Sequence, residues 1–286
     1  MLLSLLLTIT PKNPTIISGF FGREVQAWLL QEIARYDADF ANALHEPNLT
    51  RPYTVSDLIL HDAGRRGPEG QVTIMPGDEV QMRITSMETH LSEFLLTKVA
   101  QNLPNCVQLK WAEFRELRLS EENGWDGQST FETLLEEGQA AQRESVTLEF
   151  ATPTAFRAGQ VDQTLPTPEL VWTSLYRKWN TFAPEALRID PLWEGFVQNC
   201  FVVNDFQLRS RKVSFNQGSR GAVTGATGKA TYRLLPAKHC GNYAAFRDGS
   251  GAVLRSLAGF ALFSGVGHHT TIGLGQTRWL RNSREI

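Results

Sequence analysis

The feature that most constrains this chain is the order in which its hydrophobic pattern alternates between strand and helix, because element order limits the topologies a compact chain can adopt. Residues 1–9 are almost wholly apolar and read as a buried first strand. The run has no basic start and no small-residue cleavage site, and Pro11-Lys12-Asn13-Pro14 ends it, so a secretory leader is not expected. Residues 22–36 carry Val25, Trp28, Leu29 and Ile33 at helical spacing. Asp37 is placed to cap a short helix through Leu44, its carboxylate accepting from the exposed N–H groups of the first turn. His45-Glu46-Pro47-Asn48 breaks that helix. Strands are expected over 53–60, 71–74 and 80–86, with a charged turn at 64–70. Helical spacing returns over 91–103, and 107–119 reads as one strand. The order β-α-β-β-α-β is that of a ferredoxin-like half.

Residues 121–139 are acidic and polar and are expected to be the connection. Beyond them the same order returns, with a strand over 145–150 that ends at Thr152-Pro153-Thr154. A helix over 168–182 has Pro168 in its first turn, where no N–H is missed. Strands over 201–215 and 230–235, a helix over 254–263 and a last strand over 276–280 complete the set. The expected fold class is α+β, two tandem ferredoxin-like (RRM-like) domains at 1–125 and 126–286, the second with a C-terminal glycine-rich loop. The duplication is one of element order, since no sequence repeat accompanies it.

Cys106, Cys200 and Cys240 are scattered, with no CxxC pair or Cys/His cluster, so neither a disulfide framework nor a metal site is indicated. No apolar stretch is long enough for a membrane helix, and a cytoplasmic protein is expected. The net charge of −2 conceals a division: residues 201–286 hold 12 Lys/Arg against 3 Asp/Glu (+9), and residues 1–200 hold 16 against 27 (−11). Such an asymmetry suits a chain whose second half meets a polyanion. Basic residues that merely decorate exposed strands are the plainer reading of charge alone.

Gly265-Val266-Gly267-His268-His269-Thr270-Thr271-Ile272-Gly273-Leu274-Gly275 is a GxGxxxxxGxG pattern between the last helix and the last strand. Glycines let a main chain approach a ligand closely, and consecutive N–H groups in such a turn suit phosphates. The pattern follows a helix rather than a strand, which excludes a dinucleotide fingerprint, and it lacks the Gly-Lys-Ser/Thr ending of a phosphate-binding Walker loop. A glycine-rich hairpin without ligand is the bland alternative.

This loop resembles the C-terminal signature of the CRISPR repeat-processing endoribonucleases of the Cas-six type, in the RAMP superfamily. Other segments resemble the family in matching order: Leu44-His45-Glu46 with Arg51-Pro52-Tyr53-Thr54-Val55-Ser56, Thr147-Leu148-Glu149-Phe150 with Thr152-Pro153-Thr154-Ala155-Phe156, Leu165-Pro166-Thr167-Pro168 through Trp179-Asn180, and Val223-Thr224-Gly225-Ala226-Thr227-Gly228. The resemblance implies tandem ferredoxin-like domains and metal-independent cutting of precursor CRISPR RNA within its repeats, with no cofactor. The implied chemistry is attack of a ribose 2′-hydroxyl on the adjacent phosphate, giving 2′,3′-cyclic phosphate and 5′-hydroxyl ends. It needs proton carriers and positive charge at the phosphorane. Implied partners are CRISPR repeat RNA, an effector complex and a second copy of the chain.

By the same resemblance, His45 stands where the family's proton-transferring histidine often lies, and histidine suits that work near neutral pH. Arg51 matches a cation six residues later. Where some members have a tyrosine fifteen residues before the histidine, this chain has Leu30, so the three-residue site is not carried across intact. Tyr36 is the neighbouring phenol retained as a candidate. Gly265, Gly267, Gly273 and Gly275 with His268, His269, Thr270 and Thr271 are expected to contact RNA, joined by Arg209, Arg211, Lys229 and Arg278. Lys212, Arg220 and Arg281 share that basic context. Trp28, Trp172, Phe182 and Trp193 read as packing residues, and His61 and His239 as structural or surface residues. Competing readings are a catalytically silent RNA-binding subunit, a scaffold that meets only proteins, and a two-histidine cyclic phosphoesterase built from His90-Leu91-Ser92 and His268-His269-Thr270.

Overall fold

A computed structural model describes residues 1–46, 49–60, 64–66, 71–120, 124–141, 144–215 and 221–281. The expectations at Pro47-Asn48, His61, Arg220 and the end of the 64–70 turn fall outside the described residues. Strand β1 (Leu2–Pro11) is buried at every position, its mainly apolar run, with Ser4, Thr8 and Thr10, being covered on both faces. A short β2 (Thr15–Ile17) leads to α1 (Gly22–Ala34), which buries Val25, Trp28, Leu29 and Ile33. The Asp37 carboxylate accepts from the Phe40 N–H at 2.8 Å and starts α2 (Ala38–His45), so the expected cap is present and His45 lies in its last turn. Strands β3 (Tyr53–Val55), β4 (Arg65–Arg66), β5 (Val72–Ile74) and β6 (Val80–Ser86) follow. Helix α3 (Thr89–Phe94) continues through a wider π turn and a 3-10 turn to Asn102.

The strand expected over 107–119 is two strands, β7 (Cys106–Leu109) and β8 (Ala112–Ser120). Lys110, at φ 52°, turns the chain between them in two residues. The region expected as a plain connection is also structured. β9 (Gly127–Ser129) pairs with β1, and α4 (Phe131–Ala140) begins at Thr130, whose hydroxyl accepts from the Thr133 N–H at 3.1 Å. Phe131 and Leu134 enter the second core beside α7 (Ser250–Ser264), whereas the polar face gave the segment its loop-like composition.

The second half comprises β10 (Ser145–Thr154), the small hairpin β11 (Phe156–Ala158) and β12 (Val161–Gln163), α5 (Pro168–Phe182), α6 (Leu192–Cys200), β13 (Phe201–Ser214), β14 (Ala222–Leu234), α7 and β15 (Thr277–Trp279). Its sheet runs β13-β14-β10-β15, and the first runs β3-β6-β1-β8-β7. In each, the first strand of the half lies between the third and the fourth, so the ferredoxin-like order occurs twice. Trp28 is buried in the first core and Trp172 and Trp193 in the second, with Phe182 packed against it, which bears out their reading as packing residues.

The halves meet through the polar face of β6. Val80, Met82 and Ile84 enter the first core, while Thr85 donates to the Phe263 carbonyl at 2.5 Å and Arg83 to that of Leu262 at 2.9 Å, both at the end of α7. Among the described residues no helix is long and apolar enough to cross a membrane.

Candidate nucleic-acid interface

Strand register collects the basic residues. Gln207 faces Lys229 across β13 and β14, Lys229 faces Glu149 across β14 and β10, and Glu149 faces Arg278 across β10 and β15. Arg209 and Arg211, two and four residues beyond Gln207, share its side of the sheet because side chains alternate. Leu148 and Phe150 point the other way, into the core, so this row occupies the face away from the helices. Arg209, Arg211, Lys229 and Arg278 are therefore brought onto one face. Arg278 donates to Glu149 at 2.7 Å, and among the described residues no carboxylate pairs with Arg209, Arg211 or Lys229. The face borders a cleft of about 570 Å³ whose walls include Gln81 and Arg83 from the first half and Glu149, Arg211 and Gln276 from the second.

Arg83 lies at the base of this cleft, 1% exposed, and sequence reading missed it because it sits inside an ordinary strand pattern. It donates to the Gln276 side-chain oxygen, to Ser4 Oγ at 3.1 Å and to the Leu262 carbonyl at 2.9 Å. Burial, and then the like charge of Arg278, hold its guanidinium below the ordinary value. Trp125 lies against both cations, 5.0 Å from Arg83 and 4.5 Å from Arg278.

The glycine-rich loop is threaded between the halves. Gly265, Gly267, Gly273 and Gly275 all have positive φ, and so does His269 at 59°. A Cβ on Gly275 would lie 2.1 Å from the Val266 carbonyl oxygen, and one on Gly267 2.3 Å from that of Ala155. The N–H groups of Val266, His268 and Gly275 donate to the carbonyls of Gly275, Ala155 and Pro153 at 2.9–3.1 Å, and that of Gly267 to Ser174 Oγ at 3.0 Å. An uninterrupted outward row of N–H groups is thus not formed at these positions, because the loop uses them to hold β10 and α5. Gly273 bridges Ser56, next to β3, in parallel pairing, and Thr270 is buried. His269 is exposed, with His268 and Thr271 half-buried. Lys178 Nζ, unnoticed in the helical pattern of α5, donates to the carbonyls of Ser264 at 2.9 Å and Gly265 at 3.2 Å. A cation there suits the negative end of α7, although burial pulls it down to about 7.

The rings of His268 and His269 are 4.2 Å apart, and His268 Nε2 is 3.3 Å from Asp162 Oδ1. Burial first, and then the like charge of His269, pull His268 down to about 4, against the opposing pull of Asp162. Burial likewise lowers His269. His268 is therefore neutral near pH 7, and Arg157 pairs with Asp162 at 3.1 Å. His90 stands elsewhere, its ring 4.7 Å from that of Phe40 on α2, and so the two histidines of the phosphoesterase pattern do not share a site.

His45 is exposed at the end of α2, and Arg51 donates to its main-chain carbonyl at 3.4 Å. The structure therefore brings these two candidates together. Tyr36 is placed apart, its ring edge-on to Phe94 at 6.3 Å. The phenol beside Arg51 is that of Tyr53, which accepts from Gln26 Nε2 at 2.9 Å and is pushed up by burial. Its strand pattern concealed it.

Two ferredoxin-like halves, one with an exposed cationic sheet face and a glycine-rich loop at the seam, define an α+β chain of tandem ferredoxin-like architecture. Comparison narrows this further. Residues 148–277, which include most of that face and the loop, match the family model of the CRISPR-associated endoribonuclease Cas6. Similar solved structures include a product complex of a Thermus thermophilus Cas6, 24% identical, covering 98% of this chain and 100% of that one, with a TM-score of 0.75. A Cas6 substrate-mimic complex is 21% identical over 98% and 99% of the two chains, with a TM-score of 0.68. The product of a Cas6-related gene from Pyrococcus furiosus is 11% identical over 98% and 100%, with a TM-score of 0.60. No curated protein matches by sequence. Residues 148–277 thus match the Cas6 family model, and nearly the whole chain shares the fold of solved Cas6 structures, as the resemblance implied.

Proposed function

We propose that this chain is an endoribonuclease that processes CRISPR RNA, cutting the precursor within its repeats without a metal ion. The observation that carries this reading is that the residues matching the Cas6 family model are also those that build the cationic sheet face and the loop. Arg209, Arg211 and Lys229, which form no ion pair among the described residues, bind phosphates, and salt weakens that binding. His268, His269 and Thr271 contact RNA at the exposed side of the loop. Repeat RNA is recognised by shape together with contacts near the cut, and the protein works in the cytoplasm, alone, as a dimer or with an effector complex.

In this reaction a ribose 2′-oxygen attacks the neighbouring phosphorus, the 5′-oxygen leaves, and a cyclic phosphate remains. A proton must leave the 2′-hydroxyl and another must reach the 5′-oxygen. His45 moves one of these protons and Arg51, which reaches the His45 main-chain carbonyl and so lies beside it, counters the charge gathered on phosphorus. Tyr36 stands outside that pair.

The test is cleavage of end-labelled repeat RNAs in excess EDTA by the wild type, His45→Ala and the double variant His268→Ala/His269→Ala, with a 2′-deoxy control at the cut. Expected are metal-free cutting that the deoxy control blocks and a loss of about 10²–10⁴-fold for His45→Ala with binding retained. If only the loop variant loses cleavage, the chemistry belongs to the loop. Tight binding of a cognate repeat without cleavage makes this a silent RNA-binding subunit.

A further inference from the structure

The aromatic Trp111 is 56% exposed, an unusual position for the side chain with the most apolar surface to hide. It is nevertheless fixed. Lys110 and Trp111 form the two-residue turn between β7 and β8, with Lys110 at φ 52°. The indole N–H donates to the Ile16 carbonyl at 3.1 Å, and the ring meets that of Phe21 at 5.5 Å and 70°. Lys110 Nζ donates to the Phe20 carbonyl at 2.8 Å, pairs with Glu24 at 3.2 Å, and lies 4.6 Å from the Phe21 ring centre. Beside it Ile16 is 52% exposed, and together they make an apolar shelf.

The shelf adjoins residues of the inter-half cleft, and Lys110 and Arg211 both act electrostatically on Asp57 in the cleft wall. Ile17, Gly19 and Phe20, which follow Ile16, line the cleft along with Arg211, and the Phe20 carbonyl anchors Lys110. Arg211 and Lys110 thus share Asp57 as a neighbour, and Lys110 Nζ lies 5.7 Å from the centre of the immobilised Trp111 ring, which joins the indole to the cationic face. A ring held in place before the ligand arrives binds without the cost of ordering it.

We propose that Trp111 is a stacking platform for an unpaired nucleobase of the RNA, whose backbone runs along the cationic face. This rests on the RNA-binding reading given above. Every base presents a π-face, so such a platform favours unstacked bases with little regard to sequence, and a paired base cannot occupy it. The role is one of substrate positioning and lies outside the proton transfers.

The experiment is fluorescence-anisotropy binding of two labelled twelve-residue chains of equal charge, oligoadenylate and an abasic ribose-phosphate chain, to the wild type, Trp111→Ala and Trp111→Phe. Trp111→Ala is expected to weaken oligoadenylate binding about ten-fold and leave the abasic chain unchanged, with Trp111→Phe between. Equal losses on both chains, or no loss on either, overturn the proposal. A change in the mass of the protein in solution without an effect on RNA makes the shelf a protein contact instead. Wild type that binds repeat RNAs but does not prefer oligoadenylate to the abasic chain overturns the platform alone. Wild type that binds none of these RNAs overturns the RNA-binding reading beneath it.

Discussion

The two ferredoxin-like halves share a strand order and differ in what covers their sheets. In the first, the centre is closed on both sides: β1 and β6 have no exposed residue, and the polar side of β6 is capped by the end of α7. In the second, β13 is exposed over most of its fourteen residues and carries Arg209 and Arg211 on its open face. The charge division of the sequence, −11 before residue 201 and +9 after it, falls inside the second half, at the start of its exposed strand β13. One topology therefore serves as a support in one place and as a surface in the other. The difference lies in which sheet face another element takes.

Three changes would break or sharpen that contrast. The largest effect is expected at Arg83, where Arg83→Met removes a buried cation and strands the oxygens of Ser4, Gln276 and Leu262. Denaturant unfolding should show a loss of about 3 kcal/mol or more. A loss below about 1 kcal/mol would mean that the polar seam is dispensable and the first sheet needs no cap. On the open sheet, Arg209→Ala/Arg211→Ala/Lys229→Ala should leave stability within about 1 kcal/mol while reducing the slope of log affinity against log salt by about 2–3. An unchanged slope would remove these residues from the RNA surface.

The smallest effect concerns the seam and has a definite sign. His268 in the folded chain is pulled to about 4 from 6.5, so the unfolded chain binds more protons between those values. Its contribution is complete above about pH 6.5 and is lost as the pH falls towards 4. Asp57, accepting from the Phe21 N–H at 2.7 Å, is pushed up by burial to about 6 from 3.8 and has the opposite slope. His268→Gln removes the first effect and keeps the second. Melting temperatures measured from pH 6.5 down to 4 should therefore move in the variant's favour relative to wild type. A difference that does not vary with pH would mean that His268 is not held neutral.

Where one periodicity dominated, sequence and structure agree. The helix of α5 starts at its proline, and Asp37 caps α2, because both signals are local. The reading failed where a local signal served a distant partner. Phe131 and Leu134 sit in a polar, acidic stretch, and only α7, more than a hundred residues later, makes that stretch a helix with a buried side. Lys110 gives no glycine or proline to mark its turn. For the candidate site, residue types were readable and neighbours were not. Arg51 beside His45 was within reach of a short spacing, but Arg83 with Gln276 joins residues 193 positions apart. The loop glycines were recognised for their backbone freedom. Their inward hydrogen bonds depend on β10 and α5, which a spacing pattern does not contain.

Neighbouring residues at the start of β1 belong to different cores, Leu2 to the second and Leu3 to the first. On a growing chain, β1 and β6 are made early, yet the carbonyls that Arg83 and Thr85 need belong to Leu262 and Phe263. The first half therefore leaves the ribosome with one side of its central strands unsealed, and it completes only when the last helix has emerged. A ribosome that stalls before that helix would hold out a strand whose Arg83 and Thr85 still lack the carbonyls that cap them.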